Sequence, residues 1–440
     1  MSIKKSISFT FGAQLINTCI GFISSIIITR ILGAAGRGEN AIFSNSIAFA
    51  VLFFGFSISS TIPYFINSGK VKAEEILSTM IIYILGSTLF VYFALLLLEY
   101  YGKLNWALPD TIQSSTYKFI FIGIYFTSLV NGVLTNFLSA YKKFKEISVY
   151  SVVFQFLPVI IYVLLYFNVI PYNHDNPFKI VVNITAILAG VSTLALIILL
   201  IRVLSVWPSK KLIPIRLIKQ FVLFSSMAYV GNVATFFNYK LDFWVVDAYC
   251  GKSQLGVYSL AAQLSQLLWM LPSAISTVLY AYASNLSNEE AVRYTIKLKQ
   301  IAFYGTLFFA ITGLILSYFF IPVLYGKEFS FVFNLMCIFC IGVIPFSIPT
   351  VLASLFAAKG NFKISFWVSL LVFVISTIMY FILIPKFGLL GGAFASSIAY
   401  LLAAVISEFI FCKEYKVPLF NLFLFERDFL SVKKIKSYFN

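Results

Sequence analysis

The chain has 440 residues, 60% hydrophobic and 11% charged, with a mean hydropathy of +0.94; soluble domains average roughly 45–50% apolar and 25% charged residues. Apolar runs of about 20 residues recur along its whole length, which excludes a cytosolic enzyme, a secreted disulfide scaffold and an outer-membrane barrel, whose strands would alternate apolar with polar side chains. The formal charge of +16, from 32 Lys and Arg against 16 Asp and Glu, would raise nucleic acid in a soluble protein, but its placement along the chain assigns it to a membrane and no nucleic-acid partner is expected.

Twelve spans are predicted, at 7–29, 40–66, 77–98, 119–140, 148–169, 180–201, 220–247, 256–283, 300–322, 331–356, 364–384 and 391–411. Lys4 and Lys5 ahead of the first run imitate a signal peptide, but that run is too long and lacks a small-residue cleavage site, so it reads as an uncleaved span. With both termini cytoplasmic, 23 of the 32 basic residues fall in inner connections, among them Lys70, Lys72, Lys142, Lys143, Arg202, Lys210, Arg293, Lys297, Lys299 and the tail residues Arg427, Lys433, Lys434 and Lys436. That bias is the asymmetry expected of the positive-inside rule in a multi-pass membrane protein. The longest inner connection carries Trp207, Pro208 and Pro214 among basic residues. It reads as an interfacial linker, so the expected organisation is a six-helix bundle at 1–201, a cytoplasmic linker at 202–219, a second bundle at 220–411 and a basic cytoplasmic tail at 412–440.

An internal repeat supports this division. A shift of 218 residues places Gly33 and Gly38, after the first span, on Gly251 and Gly256, after the seventh, and Ala140, Phe144 and Lys145 on Ala358, Phe362 and Lys363. Six spans return the chain to its starting side. The two bundles are therefore expected to be parallel, related by a pseudo-two-fold axis along the membrane normal, with a central cavity and alternating access.

Polar residues inside lipid are costly, so their faces indicate which helices turn inward. Gly231, Thr235, Asn238 and Asp242 share one face of the seventh span, and Gln14, Asn17, Gly21 and Ser25 one face of the first. The eighth offers Ser259, Gln263 and Gln266, the second Arg37, Asn40 and Ser44. Asn17, Asn238 and Gln263 are thus candidate substrate contacts, with packing between helices as the alternative. Lys240 and Asp242 lie within the seventh span, about 7–10 Å short of its end. Positions i and i+2 point to opposite faces, so they do not pair and each needs its own partner. Arg30, Arg37 and Lys118 cluster toward the outer end, where they supply cationic contacts for a phosphate or else snorkel to headgroups; Glu408 beside Lys413 reads as a headgroup residue. Asp242 and Asp247 are the candidate coupling-ion residues.

Cys337 and Cys340 have redox spacing but sit in an apolar run with no second ligand pair, and the single histidine, His174, lies in an outer loop. The Gly33–Gly38 stretch is followed by Glu39 and Asn40 rather than the Lys-Ser/Thr of a P-loop. No metal, cofactor or catalytic triad is expected.

The stretch TRILGAAGRGENAIFSNSIAF at 29–49, with TIPYFINSG at 61–69, Lys240-Leu-Asp242, Leu255-Gly-Val-Tyr-Ser259 and FGLLGGAFASSIAYL at 387–401, resembles the polysaccharide-unit flippases of the Wzx type, in the superfamily that includes multidrug extruders and lipid II flippases. The resemblance implies an all-α, V-shaped, twelve-helix carrier that moves an undecaprenyl-diphosphate-linked O-antigen or capsule unit to the outer leaflet. It also implies, as partners, membrane lipid and the polymerase and chain-length proteins of the same pathway. Arg30 and Arg37 match the family's basic positions and Asp242 its acidic one, whereas Lys240 is assigned from its depth. The tail from Val417 holds only a short apolar run, which sets the chain apart from lipid II flippases with two additional spans. A drug or cation antiporter and a membrane polymerase or ligase are the alternatives.

Overall fold

The computed structural model describes residues 3–69, 71–171, 175–283 and 286–419; Lys70, His174 and the tail residues Arg427, Lys433, Lys434 and Lys436 lie outside them. Every regular element among the described residues is helical: α1 (Ile3–Gly55), α2 (Ile62–Asn67), α3 (Ala73–Tyr100), α4 (Ser115–Ala140), α5 (Phe144–Tyr166), α6 (Pro177–Leu204), α7 (Ile215–Cys250), α8 (Lys252–Gln266), α9 (Met270–Ala283), α10 (Asn288–Leu324), α11 (Val332–Ala358) and α12 (Phe362–Tyr415). A membrane permits this and little else, because a helix satisfies its backbone polar groups internally.

Eight of the helices are long and apolar enough to cross a membrane. Two of them, α1 and α12, are long enough to cross twice and are broken at Gly33 (φ 63°, ψ −175°) and Gly388 (φ 57°, ψ −133°). With α7, which is 36 residues long, and the α8–α9 rod, the chain is a multi-pass membrane protein with the twelve crossings expected. Large side chains along the apolar helices stay exposed, such as Leu89 and Phe90 on α3 and Phe319 and Phe320 on α10, as lipid-facing surface requires.

Details depart from the expected spans where the backbone leaves helical geometry. The second span does not run unbroken to 66: Phe56 and Ser57 take left-handed φ values of 47° and 51°, and a 3-10 turn at Ile58–Thr61 leads into the short α2. The eighth is interrupted by the 3-10 turn Leu267–Trp269. The ninth begins earlier than expected, since α10 starts at Asn288; Lys299, expected in an inner loop, is instead three turns inside the helix and 0% exposed.

The chain forms two compact units, Met1–Ser259 with Val323–Phe329, and Leu260–Pro322 with the residues from Ser330 onward. The first has two hydrophobic clusters. One gathers Phe43, Leu108, Phe121, Tyr125 and Phe178; the other holds Phe65, Ile76, Phe137 and Leu196 with Val206 and Ile213 of the connection after α6. That connection is tied to α3, because the Ser209 amide donates to Ser78 Oγ at 2.7 Å and the Ile213 amide to Thr79 Oγ1 at 3.0 Å. In the second unit α11 lies against α12 so closely that a Cβ on Gly342 would meet Ser397 Cα at 2.5 Å.

The tightest approach in the first unit joins the two glycine motifs of the repeat. A Cβ on Gly38 would stand 1.9 Å from Lys252 O, and one on Gly256 1.9 Å from Ala34 O. The contacts are reciprocal under the 218-residue shift, since 34 maps on 252 and 38 on 256. Gly251 also repeats the backbone of Gly33, with φ 83° and ψ 172°. An added methyl has no space here, so Gly38→Ala and Gly256→Ala should each destabilise by about 1–3 kcal/mol. Gly86→Ala on α3, where nothing lies within 4 Å, should be neutral or slightly stabilising; thermal unfolding in detergent followed by tryptophan fluorescence checks all three.

Candidate functional site

The polar stripe of α1 changes exposure along its length: Gln14 is exposed, Asn17 and Gly21 are half-buried and Ser25 is buried. The stripe of α7 does the same, from half-buried Gly231 and exposed Thr235 to buried Asn238 and Asp242. Each is open toward the end that adjoins the basic connections and closed toward the end where Gly38 meets Gly256. Asn17 Nδ2 donates to Ser151 Oγ at 3.0 Å, which ties the α1 stripe to α5. Gln263 is exposed on α8, past the end of the first unit.

Asp242 and Lys240 take separate partners, as their spacing required. The Tyr258 hydroxyl donates to Asp242 Oδ2 at 2.6 Å, and the Phe243 amide to Oδ1 at 3.1 Å. Lys240 Nζ stands 4.7 Å from the centroid of the Phe243 ring, which meets Tyr258 edge-on at 5.9 Å. Lys240 is half-buried and Asp242 only 4% exposed. A carboxylate sealed beneath a tyrosine and an ammonium held over an aromatic face make one compact cluster. Tyr258 lies in the Leu255–Ser259 segment, but nothing in its spacing marked it as the partner of Asp242.

The other candidate charges have partners that sequence reasoning did not supply. Lys118 is held by both oxygens of Glu99, at 2.7 and 2.6 Å. Asp247 pairs with Lys252. Arg37, 8% exposed, donates to the hydroxyls of Thr29 and Ser25 on the preceding arm of α1. Arg30 donates from Nε to the Leu324 carbonyl at 2.8 Å and from a terminal nitrogen to the Val323 carbonyl. The structure therefore brings Lys240, Asp242 and Asn238 together on α7, and commits Arg30, Arg37, Lys118 and Asp247 to contacts within the protein. Glu99, at the end of α3, was the one signal available in sequence: an acidic residue opposite the only basic residue that opens α4.

In the second unit Lys299 Nζ reaches Glu408 Oε1 and Oε2 at 2.6 and 2.7 Å and lies 4.9 Å from the Phe411 ring centroid. Glu408 is thus the half-buried partner of Lys299 and not the headgroup residue expected beside Lys413, because the early start of α10 carries Lys299 into the bundle. Removing one member of such a pair strands a charge, at about 3–5 kcal/mol. Lys299→Met and Glu408→Leu should each lower the unfolding midpoint sharply, and the double variant should recover most of the loss; a double-mutant cycle in thermal unfolding measures this.

Among the described residues no group of three His, Cys, Asp or Glu side chains stands together to hold a metal. Comparison with known proteins places this geometry. The family described as polysaccharide biosynthesis protein matches residues 3–287. The capsular polysaccharide biosynthesis protein CapF of Staphylococcus aureus is 26% identical over 174 residues, 38% of this chain and 43% of its own. A putative O-antigen transporter of Shigella flexneri is 23% identical over 197 residues, 44% of this chain and 47% of its own. Both matches thus span less than half of the relative. Among solved structures, the lipid II flippase MurJ in an inward closed conformation superposes with a TM-score of 0.68 at 18% identity, over 98% of this chain and 96% of that one. A multidrug resistance MATE family transporter in an inward-facing conformation gives 0.67 at 16%, over 91% and 94%. The fold is the one these transporters share.

Proposed function

We propose, from the premise that this chain belongs to the polysaccharide biosynthesis protein family, that it is a carrier and not an enzyme: it moves an undecaprenyl-diphosphate-linked oligosaccharide of the O-antigen or capsule type from the cytoplasmic to the outer leaflet of a bacterial inner membrane. Both termini are cytoplasmic, the halves divide at the 202–219 connection, and no cofactor is needed. The observation that carries the reading is the pair of polar stripes on α1 and α7, each exposed toward the basic end and buried toward the other. A polar headgroup that enters from the cytoplasm meets those faces, while its polyprenyl tail stays in lipid. The names of the two relatives favour a glycan cargo over a drug or cation.

Lys240 is the cation best placed to meet a diphosphate, because it is the one candidate held over a ring, at 4.7 Å, where the others are engaged by oxygen atoms. Asn238, one turn before Asp242 on α7, and Asn17 on the α1 stripe are the polar contacts proposed for the rest of the headgroup. With an inside-negative potential, outward movement of an anion is downhill by about 2.3 kcal/mol per charge per 100 mV, so potential can drive the step. Asp242, closed beneath Tyr258 at 2.6 Å, is the group that would couple an ion.

Reconstitution with a fluorescent undecaprenyl-diphosphate oligosaccharide and an external, impermeant glycosidase tests this. Cleavage should run faster than in empty liposomes and rise with an inside-negative potential. Lys240→Ala should slow it about tenfold, the scale of one charge-assisted contact, and Lys413→Ala by less than about twofold. Asp242→Asn should remove any dependence on a proton or sodium gradient. Equal tolerance of the two lysine substitutions eliminates the cationic site, and dye transport in the same vesicles without glycan exposure replaces the flippase by the antiporter.

A further inference from the structure

The segment Val323–Phe329, the end of α10 and the connection that follows it, groups with the first unit, whereas the rest of α10 and α11 belong to the second. Arg30 grips the last two carbonyls of α10, where orphan acceptors and the negative end of the helix dipole favour a cation. Behind that grip Tyr325 is 2% exposed and Phe329 0%, with ring centroids 6.3 Å apart, and Gly326 (φ 116°) makes the turn between them. Glu328 Oε1 comes within 3.5 Å of where a Cβ on Gly33 would stand.

The 218-residue shift carries this segment back onto 105–111, in the connection between α3 and α4. That connection behaves in the same way. The Trp106 carbonyl accepts from Trp244 Nε1 of α7 at 3.2 Å and from Ser46 Oγ at 3.1 Å, and Leu108 and Ile112 are fully buried. Each connection therefore reaches the first long helix of the opposite repeat: 101–114 reaches α7, and 323–329 reaches the first arm of α1. In both cases a side-chain N–H of the long helix donates to a backbone carbonyl, that of Trp106 in the connection after α3 and those of Val323 and Leu324 at the end of α10. Both lie at the end where Gly38 meets Gly256.

We infer that these two connections are reciprocal straps that latch the outer end shut, and that Arg30 and Trp244 are their fasteners. Each fastening is a side-chain N–H on a backbone carbonyl, so opening it separates no ion pair, unlike opening the Lys118–Glu99 or Lys252–Asp247 contacts nearby. Arg30 then has two alternative partners, the α10 carbonyls when the end is closed and an anionic group when it is open. The inference depends on the alternating-access reading above.

The test is labelling of Thr235→Cys, on the polar face of α7, in a variant lacking the five native cysteines, with a membrane-impermeant maleimide added to the outside or the inside of sealed vesicles. Arg30→Gln breaks one strap. Trp244→Phe breaks the other while keeping the ring against Phe49 and Phe236, which it meets at 6.3 and 6.1 Å. Each should raise the outside rate about fivefold, the scale of one such hydrogen bond, and lower the inside rate. A loss of fold stability alone would not move the two rates in opposite directions. Because the variants act on different straps, failure of one to fold leaves the other as the test. An outside rate unchanged from the parent overturns the straps and leaves alternating access standing. A rise outside with no fall inside supports the straps and overturns alternating access.

Discussion

Two backbones meet without side chains between them where Gly38 faces Lys252 and Gly256 faces Ala34, and much of the first unit is arranged around that contact. In lipid, helices gain little by burying apolar surface against each other, so close approach of small residues supplies the attraction instead. The approach needs glycine at the crossing. It also needs a chain that turns sharply just before it, which the φ of 63° at Gly33 and 83° at Gly251 provides. The turn at Gly33 brings Arg37 back beside Ser25 and Thr29, and the turn at Gly251 brings Tyr258 back over Asp242. Arg37 and Asp242, both buried at this end, thus find partners on the far side of each turn.

The ionisable residues divide by the kind of partner they have. Lys118, Lys252 and Lys299 are each neutralised by a carboxylate. Such pairs hold position and register more than they add stability, whether half-exposed like Lys118–Glu99 or closed like Lys299–Glu408. Arg30 donates to carbonyls and Arg37 to hydroxyls. Lys240 lies on a ring face. The first group ties helix to helix through ion pairs, whereas the second holds its cations on carbonyls, hydroxyls and a ring face.

Much of the architecture was legible in the sequence because the bilayer reduces folding to length and hydropathy. The twelve crossings, the Gly33/Gly251 correspondence and the separate partners of Lys240 and Asp242 all follow from periodicity and spacing. The site was less legible for a physical reason: its partners lie on other helices. Glu99 is 19 residues from Lys118, Glu408 is 109 from Lys299, and Leu324 is 294 from Arg30. Apart from Glu99, which ends the helix before Lys118, no local pattern encodes such distances. Lys299 was misplaced because a charged residue near a predicted span end is assigned to the loop, whereas the Glu408 carboxylate on α12 lets α10 begin well before its apolar run. The interruption at Phe56 and Ser57 was hidden for a similar reason, since neither residue type marks a left-handed turn.

The reciprocity of the glycine crossing bears on how such a chain can arise. A contact in which position 34 of one repeat meets position 38 of the other, and the converse holds equally, is isologous: two identical separate subunits would make it from a single surface. One glycine in one gene would then have served both sides of a homodimer at once. After duplication and fusion the two copies are free to diverge, as the 34/252 pair of Ala and Lys has done. Gly38 and Gly256 are not free in that sense, because each is held to glycine by a carbonyl belonging to the other copy.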